Sequence, residues 1–376
     1  MESLIIIFLL LGPLLDVSAF YNLPVNNIVR GLYLLLVILL IFKNKNKQSI
    51  KLLLILLIFS VAEVLFQKFY LSFTYMETIS NTLKFLYLPV SIIYFKDLTL
   101  KKYNKEKILS IIIFTYLGIY LLSYILGIGA NVYLETDGKS GFRGLFTSIN
   151  EFSAIIVGLL PIVSNYLKEK KNYLLLVLLF IFAILCSLLI GTKVLLGGII
   201  VVLVYLLYQE RNKFLNLELS KKIIIIVASL VLIIIALYLF TKTRTYHNMW
   251  IQQSFFKTNN IFDFINKVIF NDRVSFLVDN FNYFKASNIF NYLLGIGLSN
   301  SAIKMVEIDI FDILFRYGII GFSIFAYIFS KLSFKKLSNI EKFSLILFVL
   351  ISLTSGHVLL YPNVCIYIAL LTLKNK

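Results

Sequence analysis

The stretch KEKKNYLLLVLLFIFAILCSLLIGTKVLLGG, residues 168–198, decides the fold. A basic cluster precedes a run of about 18 residues with no charge, and a tight Gly-Thr-Lys turn leads at once into a second apolar run. A run of that length matches the thickness of a bilayer core, at about 1.5 Å of helix rise per residue. A turn that tight leaves room only for an antiparallel helix partner.

The same alternation recurs along the whole chain. Hydrophobic residues make up 60% of the 376 positions, charged residues 15%, and the mean hydropathy is +0.90. A water-soluble domain of this size does not carry that composition. Spans are expected near residues 3–20, 25–42, 50–68, 77–95, 108–128, 149–167, 173–191, 194–208, 222–240, 308–330, 343–360 and 362–373. The fold class is therefore an all-α polytopic membrane bundle of about twelve transmembrane helices. One large extracytoplasmic loop, 241–306, interrupts it and is expected to carry short helices. The chain then divides into an N-terminal bundle (1–240), that loop, and C-terminal helices (307–376).

Lys-rich clusters at 43–47, 96–107, 168–171, 209–213, 221–222 and 331–336 all fall on one side of this arrangement. The positive-inside rule places that side, and both termini, in the cytoplasm. The formal charge of +17 and pI near 9.6 follow from this topology, with no need for a nucleic-acid partner. The first 20 residues lack a basic n-region and read as an uncleaved helix. Cys186 and Cys365 lie inside apolar runs and read as small buried hydrophobes. With two histidines and no Cys/His/Asp cluster, neither a metal nor another cofactor is implied.

On the outer side the charges are sparse and specific: Arg143, Lys193, Arg273 and Arg316, joined by Glu151, Glu307, Asp309 and Asp312. Ionisable groups at such positions usually face a cavity or one another. Lys193, in the IGTK turn, reads either as a snorkelling side chain or as a cation of that cavity. Arg143 reads either as a head-group anchor or as a phosphate ligand. Arg273 opens a helix capped by Asn271 or Asp272, with Val274, Leu277, Val278 and Phe281 as one apolar stripe. Asp309 and Asp312 suit the positive end of a helix dipole. Glu307 lies just ahead of them, where a carboxylate could act as a general base. His357 near an outer helix end reads first as a packing residue.

The succession FRGLFTSINEFSA (142–154), IGTK (190–193), NDRVSFLVDNFNYF (271–284), LLGIGLSN (293–300), VEIDIFDILFRYGIIGF (306–322) and SGHVLLYP (355–362) resembles the O-antigen ligase and polymerase superfamily. The resemblance covers about residues 140 to 362. It implies a metal-independent glycosyltransferase of the bacterial cytoplasmic (inner) membrane that uses undecaprenyl-pyrophosphate-linked oligosaccharide. Arg143 and Asn150 match the family's Arg and Asn at the start of a span. Lys193 stands where Arg is common, and Arg273 matches the Arg of the long loop. Ligases of the superfamily carry a His-led motif at the end of that loop. Glu307 stands there instead, which resembles the polymerases of capsule or O-antigen repeat units. The site expected on this basis has Arg143, Lys193 and Arg273 on the pyrophosphate and Glu307, or Asp309, toward the acceptor hydroxyl. Asn150, Arg316 and His357 complete the candidate set. Membrane lipids, a chain-length regulator and a flippase are the partners that the resemblance suggests. A ligase of the same superfamily, a lipid flippase or transporter, and a non-catalytic assembly protein remain as alternatives.

Overall fold

The computed structural model describes residues 2–98, 104–132, 140–211, 241–243, 246–248, 250, 266, 270, 272–297, 303–331, 337–356 and 358–373. Eight helices come first: α1 (Glu2–Phe20), α2 (Val25–Lys43), α3 (Lys47–Phe69), α4 (Tyr75–Asp97), α5 (Lys105–Ile125), α6 (Ile149–Glu169), α7 (Tyr173–Ile190) and α8 (Lys193–Gln209). Later come α9 (Arg273–Ala286), α10 (Ile289–Leu294), α11 (Asp309–Ser330), α12 (Asn339–Thr354) and α13 (Pro362–Leu370). Seven of these, α1, α2, α3, α5, α6, α7 and α11, are long and apolar enough to cross a membrane, and α8 is a shorter apolar helix. The chain is a multi-pass α-helical membrane protein. The span expected at 222–240 lies outside the described residues.

Local sequence explains the helix starts. Asn46, Asn104 and Asn172 cap α3, α5 and α7 through their side chains, and Thr74 with Glu77 and Ser338 with Glu341 form capping boxes on α4 and α12. Each cap satisfies backbone donors that a membrane surface cannot reliably serve.

Contacts between helix ends sort the chain into two faces. On one, Lys105 pairs with Glu341 and donates to the Leu373 carbonyl (3.1 Å), Asn46 donates to Asp97 (2.8 Å), and Lys168 pairs with Glu210. On the other, Asn150 donates to the Ser355 carbonyl (2.9 Å), and Asn248 bridges Ser140 and Gly191. The described Lys-rich connections thus share a face, opposite to Arg143, Asn150, Lys193, Arg273 and Glu307. α6 is the most enclosed of the candidate spans, packed by α5, α7, α8, α12 and α13.

Two features differ from the sequence-based expectation. First, the all-α expectation overlooks one short strand pair: β1 (Ala130–Asn131) and β2 (Phe142–Gly144) pair antiparallel ahead of α6. Second, the span expected at 308–330 is broken. Gly318 (φ 65°, ψ −176°) interrupts α11 and frees the Phe315 and Arg316 carbonyls, which accept from Ile296 (2.9 Å) and Gly297 (3.1 Å) just beyond α10. A Cβ at Gly318 would collide with the Leu293 carbonyl, so glycine permits both the left-handed turn and the close approach. Unpaired backbone at membrane depth is tolerated where protein covers it, and α10 supplies the cover.

Candidate functional site

α12 ends at Thr354 on the face opposite the Lys-rich connections, where its last carbonyls carry the negative end of the helix dipole. Two side chains from distant segments meet them. Arg273 donates from Nη1 to the Thr354 carbonyl (2.9 Å) and from Nη2 to the Ser355 carbonyl (3.2 Å). Asn150, from the first turn of α6, donates to the same Ser355 carbonyl (2.9 Å). The loop helix α9, the enclosed helix α6 and the end of α12 are thereby tied at one point.

Glu307 completes the knot. Its Oε2 accepts from Arg273 Nη2 at 2.8 Å, with 28% of its side chain exposed against 9% for Arg273. Its backbone is left-handed (φ 59°), which is uncommon for a residue with a side chain and requires surrounding structure to hold it. Gly356 does so: a Cβ there would lie 2.5 Å from the Glu307 carbonyl oxygen. The carboxylate is thus aimed by its guanidinium partner and fixed by its own main chain.

The two aspartates are used differently. Asp309 is buried, and its Oδ2 accepts from the Val358 and Leu359 amides (both 2.8 Å). Asp312 is also buried, and its Oδ1 accepts from the Val306 amide (2.9 Å). Asp312 braces the residue before Glu307, and Asp309 braces the segment that follows Gly356. Only Glu307 of the three presents an accessible carboxylate beside a cation.

Tyr361, between α12 and α13, lies in the electrostatic reach of Glu151, Asp309, Glu307 and Asp312. Burial first, then those carboxylates, push its hydroxyl well above the usual phenol range, so it stays a hydrogen-bond donor. The sequence reading passed over it, although it sits inside the SGHVLLYP segment.

Arg143, on β2, is partly buried above the start of α6. It makes a long bond to the Thr147 carbonyl (3.4 Å) and lies over the Phe20 ring (5.9 Å), and its buried Nε has no hydrogen-bond partner. Of the candidate arginines it therefore keeps the most donor capacity. Lys193 opens α8, across the Gly191 and Ser140 junction that Asn248 clasps. Arg143 and Lys193 thus sit on neighbouring elements of the same face.

Arg316 is not a pocket cation. It is fully buried and donates to the Gly297 carbonyl (3.3 Å), Asn280 Oδ1 (3.2 Å) and the Ile303 carbonyl (3.1 Å). It clasps the loop helices to α11. Asp272 stands at the N-cap of α9 but does not cap it. Its backbone is left-handed, and Asn266 Oδ1 instead accepts from the Val274 amide (3.2 Å). The apolar stripe of α9 is present, with Leu277 partly buried and Val274, Val278 and Phe281 exposed. His357 and Asn271 lie outside the described residues.

The structure is an enclosed multi-pass bundle that gathers Arg273, Glu307 and Asn150 into one knot on the face opposite its described Lys-rich connections. Residues 1–259 match the family of O-antigen ligase like membrane proteins, and the chain belongs to that family. The match extends into α1–α5, which precede the recognised motifs, and it contains Arg143, Asn150 and Lys193. Arg273 and Glu307 fall beyond it. No curated protein and no solved structure matches the chain.

Proposed function

We propose that the protein is a glycosyltransferase of the cytoplasmic membrane that polymerises lipid-linked oligosaccharide repeat units for a bacterial surface polysaccharide, with its Lys-rich face in the cytoplasm. The observation that carries this reading is Glu307: an outer-face carboxylate, partly exposed, aimed by Arg273 and held in a left-handed conformation against Gly356. Family membership supports the ligase or polymerase class. The glutamate at the end of the long loop favours a polymerase.

In the reaction, the hydroxyl oxygen of one lipid-linked unit attacks the anomeric carbon of the growing chain. The bond from that carbon to the pyrophosphate oxygen breaks, and the pyrophosphate leaves with the bonding electrons. Glu307 takes the hydroxyl proton, and Arg273 holds the carboxylate in place. Arg143 and Lys193 face the charge that develops on the leaving group, where fixed cations in a water-poor site act most strongly. Tyr361, within electrostatic reach of Glu307, supplies a neutral donor.

Purified protein given undecaprenyl-pyrophosphate-linked repeat units, with products sized on a gel, tests this. A ladder of multiples is the expected result. Transfer of one block to a different acceptor lipid would identify a ligase, and neither product would leave transport as the reading.

A further inference from the structure

Lysines come in two pairs at the Lys-rich ends of α5 and α6, and in each pair one member is already engaged. Lys105 pairs with Glu341 and Lys168 with Glu210. Lys107 and Lys170, two residues further along, are exposed, and among the described residues neither side chain has a hydrogen bond or ion pair. Both line the mouth of a groove of about 510 Å³ between α5, α6 and α7. Asn172 stands at the same mouth. Its Oδ1 caps α7 by accepting from the Leu175 amide (3.3 Å), and its Nδ2 has no acceptor among the described residues.

Below the mouth the groove turns apolar. Ile111 and Phe114 of α5, Leu167 of α6 and Leu175 of α7 form its walls. The two hydroxyls beside them are used within their own helix: Ser110 donates to the Glu106 carbonyl and Thr115 to the Ile111 carbonyl, both at 2.8 Å. From Lys107 to Thr115 the wall descends about 12 Å at ~1.5 Å of rise per residue. α5 and α7 are both long and apolar enough to span a membrane, and Ile111 and Leu175 are exposed on them, so the groove opens sideways to acyl chains.

The field at the mouth is positive. α5 and α7 both begin at this end, so their dipoles add to the two ammonium groups. α6 ends here, but the Tyr166 and Leu167 carbonyls are taken by the Lys170 (3.0 Å) and Asn172 (2.9 Å) amides. Glu106 and Glu169 lie outside the lining, and Glu169 is held by Asn165 (2.7 Å).

We infer that this groove binds an anionic phospholipid of the leaflet on the Lys-rich face, with its phosphate between Lys107 and Lys170 and one acyl chain along Ile111, Phe114 and Leu175. No carboxylate lines the groove, so the ammonium of a zwitterionic head would find no partner there. The apolar lower half selects a lipid over a free phosphate compound. The site is on the face opposite Glu307 and does not depend on the transferase reading. α5 and α7 both pack on β2 at their other ends, so a lipid that joins them stabilises the frame that carries Arg143.

The test titrates the full chain in detergent micelles with phosphatidylglycerol and, in parallel, with phosphatidylcholine of the same acyl chains. Bound lipid is counted by native mass spectrometry, and the melting temperature is followed. Phosphatidylglycerol is expected to bind more tightly and to raise the melting temperature. Lys107→Gln and Lys170→Gln should each weaken it about fivefold, and together about twenty-fivefold, with phosphatidylcholine little changed. Both side chains are exposed, so these variants should fold. Lys45→Gln with Lys47→Gln removes the same charge from the connection between α2 and α3 on that face and should leave the affinity unchanged. An equal loss in that control would reduce the effect to general attraction by a basic face and overturn the proposal. So would an unchanged affinity when both Lys107 and Lys170 are replaced. If glycerol phosphate, which has no acyl chain, binds as tightly as the lipid, the groove serves a soluble anion and the proposal fails.

Discussion

Arg273 Nη2 lies 2.8 Å from Glu307 Oε2, and the same nitrogen donates to the Ser355 carbonyl at 3.2 Å. One guanidinium thus holds a helix end and a carboxylate together, across 34 residues of sequence. Both of its Nη groups are committed within the protein, so its first effect is to orient Glu307. That geometry separates a base from a cap. Glu307→Gln keeps shape and removes the proton acceptor, and initial polymerisation rates should fall by about 10² to 10⁴. Asp309→Asn and Asp312→Asn, which weaken acceptors of backbone amides, should instead lower thermal stability and membrane levels. A near-normal rate for Glu307→Gln at matched protein level would remove it from the chemistry.

Arg143 has spare donor capacity, so its substitution should act on the donor substrate. Arg143→Ala is expected to abolish long chains while the protein still inserts, and Arg143→Lys to recover part of the rate, because the planar fork is gone. Normal-length polymer from the Ala variant would make Arg143 a head-group anchor.

The two-faced sorting of helix ends makes a direct topological prediction. Single Cys probes at Ser140 should label from outside intact cells, and probes at Asn46, Asn104 and Asn339 should not. Cys186 and Cys365 are buried and should stay silent. Outside labelling at Asn104 would invert the map and move every candidate residue to the wrong compartment.

Much of the bundle was legible because hydrophobic length and Asn, Ser or Thr caps are local signals. α6, α7 and α11 start within a residue of where the apolar runs begin. The break at Gly318 was not legible, since the glycine sits in an apolar run and its partner, the segment after α10, is distant in sequence. Asp272 misled because it has the residue type of a cap, whereas Asn266 reaches back from a turn that no spacing rule anticipates. For the candidate site, charge sparsity singled out Arg143, Arg273 and Glu307, of which the structure pairs the last two. It also drew in Arg316, whose buried role depends on carbonyls at 297 and 303 that only folding brings near.

The left-handed backbone of Glu307 gives the sharpest structural test. Gly356 has φ 61°, and a Cβ added there would lie 2.5 Å from the Glu307 carbonyl oxygen and 2.7 Å from its carbonyl carbon. Gly356→Ala therefore meets two costs, about 1–2 kcal/mol for the left-handed conformation and a backbone clash that no rotamer relieves. Relief requires Glu307 to move, which takes its carboxylate off Arg273. The variant should insert, melt at a lower temperature, and lose turnover to nearly the extent of Glu307→Gln. Combining the two should add little, since both remove the same positioned carboxylate. Gly118→Ala is the control, because an added Cβ there meets nothing within 4 Å and sits inside α5, where alanine is the better helix former. Normal turnover in Gly356→Ala would mean that the exact placement of Glu307 is immaterial to the reaction. A loss of turnover with an unchanged melting temperature would still implicate the placement, because the strain would then be carried by Glu307 alone.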